Sequence, residues 1–158
     1  MLVIHTFENG LSGVRAHNAD VKLGIGRDPE LSAPVLIVDY PAPTGDPAGR
    51  DVSCDAENRD WRAGSALSFR IKPSHAVKLS VSFLDANGVA YTSWTDLQGG
   101  VWQTVRIPFD RIRPNPYFQP PDAKQGAAID VNDVSSVAFA PHDETPGRLA
   151  VGAFIVVE

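Results

Sequence analysis

The sequence contains little of what disulfides, metal centres and membrane spans require. Cys54 is the single cysteine among 158 residues, which excludes an internal disulfide and a zinc site built from several cysteines. We expect it to be a small buried thiol. No apolar run approaches the roughly 20 residues that a membrane helix needs. Met1-Leu2-Val3-Ile4 lacks the basic segment and cleavage site of a signal peptide, so we expect either a cytoplasmic protein or a module of a longer exported one.

Positive charge is also scarce and dispersed along the chain. The formal net charge is −5, and the basic residues form no run of the kind that binds a phosphate backbone or an anionic membrane. We therefore expect neither nucleic acid nor a membrane as a partner. The four histidines, His5, His17, His75 and His142, lack metal-ligand spacing, and no Gly-x-Ser-x-Gly or phosphate-binding loop occurs. The sequence thus shows no recognisable catalytic constellation.

What the sequence does contain is a series of short strands. Between Leu67 and Phe109, apolar and polar residues alternate with a period of two, which gives each strand one buried and one exposed face. Glycine and proline, 13 of each, separate the runs of β-branched and aromatic residues. The pattern predicts an all-β fold, an antiparallel jelly-roll β-sandwich of about eight or nine strands, without long helices. We expect one domain over residues 1–158.

One hairpin fixes which aromatic residues face outward. The turn Asp85-Ala86-Asn87-Gly88 favours a type I turn followed by a left-handed glycine, which pairs Asp85 with Val89. This register sends Tyr91 to the core beside Phe83 and leaves Trp94 on the exposed face beside Ser80. The polar segments 41–64 and 110–126 are predicted to be long loops of the kind that carry function, and residues 129–134 are predicted to form one helical turn.

These exposed positions suggest a sugar-binding surface. Aromatic rings can cover the C–H faces of a sugar, while planar polar groups meet its hydroxyls. Trp94, Asp96 and Arg106 fit this description on one predicted face, and the loop aromatics Trp61 and Tyr117 would border the same shallow groove. The competing interpretation is structural: Trp94 would belong to the core, Arg106 would be an ordinary solvated residue, and the loop aromatics would pin their own loops.

Several segments together resemble a known group of domains. They are Thr6–Gly10, Asp60-Trp61 before Leu67–Ile71, the hairpin that ends in Gly88–Tyr91, Val101–Phe109 with its Trp-x-x-Val-x-Ile-Pro-Phe pattern, and the closing strands Val134–Phe139 and Leu149–Ile155. This pattern resembles the galactose-binding-like jelly rolls, and within them the carbohydrate-binding modules related to family 11 and the neighbouring complex-intermediate-associated domains. The resemblance covers nearly the whole chain.

The resemblance implies a non-catalytic module that binds a glycan and is often attached to a glycoside hydrolase. A secreted or periplasmic location within a longer protein would follow. Many members bind a structural calcium, and Glu8 matches the N-terminal ligand position. The last strand, however, has Gly152-Ala153-Phe154 where members often carry an Asp, so the expected partner is missing. We expect no other cofactor.

Two other functions remain open from the sequence. A protein-interaction or assembly domain would show a contiguous apolar patch on the exposed sheet face. A small glycan-active hydrolase or lyase would need two titratable groups with displaced pKa values in one pocket, for which paired carboxylates such as Asp51 and Asp55 are candidates.

Overall fold

A computed structural model of the chain describes residues 1–45 and 47–158. Asp46, which belongs to the predicted loop 41–64, lies outside the described residues. The described part forms thirteen strands and one short 3₁₀ helix, Pro47–Arg50. The strands are β1 (Leu2–His5), β2 (Val14–Ala16), β3 (Lys22–Asp28), β4 (Leu31–Tyr40), β5 (Val52–Asp55), β6 (Ala66–Pro73), β7 (Val77–Leu84), β8 (Ala90–Leu97), β9 (Gln103–Pro108), β10 (Arg113–Pro114), β11 (Ser136–Pro141), β12 (Gly147–Val151) and β13 (Phe154–Val157).

The strands form two antiparallel sheets. In the larger sheet, β1 pairs with β13, β13 with β6, β6 with β12, β12 with β4 and β4 with β3, while β9 pairs with the other edge of β6. The smaller sheet has the order β10-β8-β7-β11-β5-β2. This is the predicted all-β jelly-roll sandwich. Among the described residues, no helix has the length and apolar character that a membrane crossing demands.

The strand count exceeds the prediction for identifiable reasons. β2, β5 and β10 have two to four residues each, and so short an alternation is hard to distinguish from polar sequence. β5 and β10 lie in the predicted loops 41–64 and 110–126, and β2 lies in a segment for which no strand was predicted. In β5, Val52 and Cys54 are nevertheless fully buried. The predicted last strand is divided into β12 and β13 at Gly152-Ala153, and both parts hold the expected central place.

The helical turn predicted for residues 129–134 is wrong. Its backbone pairs with another loop instead, because the Trp61 amide donates to the Val131 carbonyl at 2.9 Å and the Val134 amide donates to the Arg59 carbonyl at 2.8 Å. The Ala86 amide also donates to the Asp130 carbonyl at 2.8 Å. These long-range hydrogen bonds satisfy the backbone without a helix, and residue spacing cannot reveal them.

The β7–β8 hairpin has the predicted register. Ser80 is opposite Trp94, and Phe83 is opposite Tyr91. The turn closes with a hydrogen bond from the Gly88 amide to the Asp85 carbonyl at 2.9 Å. Gly88 has a φ of +72°, a left-handed backbone conformation that is energetically costly for a residue with a side chain. The odd-numbered residues of β7 therefore enter the core, and Ser80 and Ser82 face outward.

Candidate functional site

A shallow groove lies on the outer face of the smaller sheet. Its floor contains Ser80 and Ser82 of β7 and Thr92 of β8, with Ala138 of β11 beside them. These side chains are small, and the large residues that alternate with them, such as Phe83 and Tyr91, point into the core. The floor is consequently flat and supplies hydroxyl groups.

One wall of the groove is aromatic. Trp94 rises from β8 and meets Tyr117 edge to face, with 6.3 Å between the ring centroids and 83° between the ring planes. Phe118 follows on the same wall, and Trp94, Tyr117 and Phe118 have 40, 86 and 61% of their surface exposed. Large aromatic rings left this open are uncommon in a fold with a buried core, and they provide flat apolar surface.

Asn115 holds the aromatic wall in place. Its Nδ2 donates to Thr92 Oγ1 at 3.0 Å, while its Oδ1 accepts from the backbone amides of Tyr117 at 2.8 Å and Phe118 at 3.2 Å. Gln119 ties the same loop to β8, because its side-chain amide both donates to the Ala90 carbonyl and accepts from the Ala90 amide at 2.8 Å. The loop thus has a fixed position relative to the floor.

The opposite wall is polar and contains Asp51 and His142. His142 Nε2 lies 2.7 Å from Ser80 Oγ, so the imidazole contacts the floor directly. Behind this wall, Arg50 is 1% exposed and donates to the carbonyls of Pro41 at 3.1 Å, Pro141 at 3.1 Å and Asp143 at 2.6 Å. Arg50 therefore links the segments that precede Asp51 and surround His142.

The groove follows the strand direction. The cavity beside Trp94 has a volume of about 520 Å³. A second depression of about 300 Å³ shares Asp51, Ser82, Thr92, Asn115 and Phe118 with it and extends to Leu84 and Ala90. From Ser80 to Leu84 the floor covers four residue steps of a strand, or about 13 Å. An extended ligand could therefore contact several rows of side chains.

The structure brings together only part of the predicted site. Trp94 and Tyr117 are neighbours in the groove, and Asp96 lies on the same sheet face but opposite Lys78, outside the groove lining. Arg106 does not share that face: it belongs to β9 of the larger sheet, opposite Ser68, and donates to the Glu158 carbonyl oxygen at 3.0 Å. The predicted common face of Trp94 and Arg106 is therefore wrong, because alternation assigns an outward direction without saying which sheet a strand joins.

Trp61 is also misplaced by the prediction. The side chain is completely buried, stacks near Phe109 and packs edge to face on Phe83 at 5.2 Å between centroids. Its indole donates to the Asn58 carbonyl at 2.8 Å. Trp61 pins its own loop to the core, which is the structural alternative that the sequence left open.

Four groove residues were not predicted to belong to the binding surface: Asp51, Asn115, Phe118 and His142. Asp51 was named only as one of a possible carboxylate pair with Asp55. The Asn115-Pro116-Tyr117-Phe118 segment does contain a signal, because an Asn before exposed aromatics is typical of a turn that its side chain closes. No sequence pattern indicated that Asp51 and His142 belong to the groove. They reach the groove only because β5 and β11 are neighbours in the smaller sheet.

Glu8 is the calcium ligand that the resemblance implies. Glu8 is exposed in the turn after β1. In the part of the chain that the structure describes, no group of three or more His, Cys, Asp or Glu side chains is arranged to hold a metal ion. Calcium prefers several oxygen ligands, commonly including carboxylates. Among the described residues, Glu8 therefore belongs to no such cluster of side-chain ligands.

Comparisons with known proteins agree with this architecture. A family model described as carbohydrate binding domain (family 11) matches residues 45–154. The search of curated proteins found no match. Among solved structures, the chain is similar to a family 11 carbohydrate-binding module from Clostridium thermocellum in complex with a β-1,3-1,4-mixed-linked tetrasaccharide, at 19% identity and a TM-score of 0.75, with 99% of this chain and 94% of that one covered.

Two further structures show how widely the fold is shared. A family 30 carbohydrate-binding module is 15% identical with a TM-score of 0.59, and the match covers 88% of each chain. An exo-β-agarase is 14% identical with a TM-score of 0.66, and the match covers the whole of this chain but 25% of the agarase. Since the family model spans most of the sequence, the chain belongs to the family 11 carbohydrate-binding domains, and it is a non-catalytic carbohydrate-binding module.

Proposed function

We propose that the groove on the smaller sheet is the carbohydrate-binding site and that it takes an uncharged polysaccharide chain. The observation that supports this most directly is the pairing of Trp94 and Tyr117 above a floor of Ser80, Ser82 and Thr92. Such a groove offers apolar surface to one side of a sugar and hydrogen-bonding groups to its hydroxyls. Its outline also favours a ligand that extends along the strands.

The composition of the groove favours a glycan over a protein partner. A protein-docking face would have a contiguous apolar centre within a polar rim, whereas here the exposed aromatics stand on one wall and the floor is lined by hydroxyls. The mixed-linkage tetrasaccharide named for the similar module makes neutral β-glucans the first ligands to test.

We further propose that the chain works as a module of a larger, exported glycoside hydrolase. One similar module belongs to a cellulosomal cellulase, and in the exo-β-agarase the matching region is a quarter of the chain. In this arrangement the module would hold a polysaccharide near a catalytic domain. We propose no cofactor for binding itself.

The test measures polysaccharide retention by affinity electrophoresis and Kd by titration calorimetry, after a glycan array has identified the ligands. Trp94→Ala should weaken binding by about thirtyfold, which corresponds to roughly 2 kcal/mol for a central aromatic contact. The thermal midpoint should hardly change, because surface substitutions usually alter stability by less than about 0.5 kcal/mol.

Leu11→Ala is the matched control. Leu11 is 39% exposed, compared with 40% for Trp94, but it does not line the groove. This variant should bind as tightly as the original protein. Unchanged retention of Trp94→Ala would locate the ligand elsewhere, and a large fall in its midpoint with binding intact would assign Trp94 to the core.

A further inference from the structure

The outer face of the larger sheet gathers positive charge that is dispersed in the sequence. The part of this face that β3, β4, β12 and β6 form, here called the basic face, carries five cations, and its carboxylates among the described residues are Asp28 and Asp39; Arg106 of β9 lies outside it. The cations are Lys22 and Arg27 of β3, Arg70 and Lys72 of β6, and Arg148 of β12. The face is therefore positive on a chain whose formal net charge is −5.

Strand pairing brings these side chains together. Lys72 is opposite Ala150 of β12, and Arg148 and Lys22 are both opposite Asp39 of β4. Arg27, Lys72 and Arg148 also line a common depression of about 340 Å³. The four strands involved, β3, β4, β12 and β6, span about 15 Å across the sheet.

The carboxylates cancel only part of this charge. Arg148 forms a two-point ion pair with Asp39 at 2.7 and 3.0 Å, and Lys72 lies 3.7 Å from Asp28. Lys22 Nζ donates to the Ala19 carbonyl, and the Arg70 guanidinium lies 5.7 Å from the centre of the Trp102 ring. Backbone and ring contacts of this kind leave the positive charge in place.

The charge spacing favours one kind of polyanion. Duplex DNA carries one charge per about 1.7 Å of its axis, or roughly nine across this face. The basic face has only three more cations than carboxylates, far fewer than these phosphate charges. Some of the phosphates would therefore lie against Asp28 and Asp39. A polysaccharide with sulfate or carboxylate groups carries its charges further apart, and hydroxyls lie between them. Those hydroxyls could donate to the two carboxylates while the cations contact the anionic groups.

We propose that the basic face is a second ligand surface that binds an acidic polysaccharide carrying sulfate or carboxylate groups. It lies on the opposite side of the sandwich from the groove, and no residue is shared between them. The two faces can therefore be occupied together, one by a neutral chain and the other by an acidic one. This proposal does not depend on the ligand of the groove.

The test compares paired probes of the same backbone at low ionic strength. Dextran sulfate is compared with dextran, and polygalacturonate with its methyl ester, by titration calorimetry. The original protein should bind at least one charged probe and neither neutral partner through this face. The variant Arg70→Gln/Lys72→Gln/Arg148→Gln should bind that probe about tenfold or more weakly, since each lost ion pair contributes modestly.

A second triple variant controls for net charge. Arg59→Gln/Arg62→Gln/Lys124→Gln also removes three cations and breaks two exposed ion pairs, Arg59–Asp133 and Arg62–Asp60, away from the basic face. It should bind the charged probe within about twofold of the original. Trp94→Ala should likewise leave acidic binding unchanged. Unfolding midpoints measured for every variant establish that each is folded.

Each alternative result has a defined meaning. Preference for the sulfated or the carboxylated probe identifies the anion and supports the proposal. Equal weakening in the two triple variants would mean that net charge alone acts, and would overturn it. Loss of acidic binding in Trp94→Ala would place the ligand in the groove. Binding of duplex DNA or anionic vesicles as tightly as the acidic probe would also overturn the choice of a polysaccharide.

Discussion

Asn115 offers the sharpest test of how the groove is built. Its side chain joins the Tyr117–Phe118 loop to the floor through three hydrogen bonds, one to Thr92 Oγ1 and two from backbone amides. Asn115→Ala removes all three. Each contributes about 0.5–1.5 kcal/mol net, and the freed groups can bond to water, so we expect a local loss of about 2 kcal/mol.

Hydrogen exchange measures this loss directly. A decrease of about 2 kcal/mol in the free energy of local opening should speed exchange of the Tyr117 and Phe118 amides by about thirtyfold. The free energy of global unfolding should fall by no more than the same amount, because the core strands keep their contacts. Affinity for the neutral glycan should fall as well, since the aromatic wall would have to be ordered on binding.

Asn115→Asp is the conservative variant. It keeps the oxygen that accepts from both amides, and the Thr92 hydroxyl can donate to the carboxylate. Exchange of both amides should therefore stay within a few fold of the original rate. Unchanged exchange in Asn115→Ala, or equal losses of affinity in the Ala and Asp variants, would refute the role assigned to this side chain.

Three further predictions concern the core and the surface charges. Trp61→Ala should lower the free energy of unfolding in guanidinium by about 3–5 kcal/mol; a loss near that of Leu11→Ala would contradict burial of Trp61. Burial raises the pKa of Cys54 to about 12, so iodoacetamide near neutral pH should modify it only in denaturant, and rapid modification of the folded protein would contradict this. A hydrogen bond from Arg15 lowers the pKa of Asp55, and hydrogen bonds from Arg62 lower that of Asp60 from 3.8 to about 2. Their stabilisation is present above the unfolded-chain pKa and is lost as the pH falls towards about 2, so urea midpoints should drop over that window, and Asp55→Asn/Asp60→Asn should reduce the drop.

The β7–β8 hairpin is the part of the fold that adjacent residues predicted in most detail. Alternation fixed the inward and outward faces, and the Asp85–Gly88 turn fixed the register, so the exposed position of Trp94 follows from adjacent residues. Short strands such as β5 were not predicted, because two inward side chains are too few to establish an alternation of apolar and polar residues. The helical turn expected at 129–134 failed because distant backbone groups supply its hydrogen bonds.

The residues of the candidate site also fall into two groups, those that the sequence could predict and those that only the fold brings together. Trp94 and Tyr117 could be named from the sequence because each carries its own signal, one in a strand and one in a loop. Asp51 and His142 could not, since they meet only where β5 and β11 pair. The opposite error put Arg106 with Trp94, because both side chains point outward but from different sheets.

The distribution of charge shows most clearly the difference between what the sequence determines and what the tertiary structure determines. The sequence by itself determined an acidic β-sandwich with alternating faces, a turn-fixed hairpin and an outward Trp94, because these depend on neighbouring residues. Only the tertiary structure decided which outward faces lie together. Lys22, Lys72 and Arg148 are far apart along the chain, yet the pairing of β3, β4, β12 and β6 collects them on one surface. The physical reason is that strand order in a sheet is set by long-range hydrogen bonds and core packing, which local spacing does not encode.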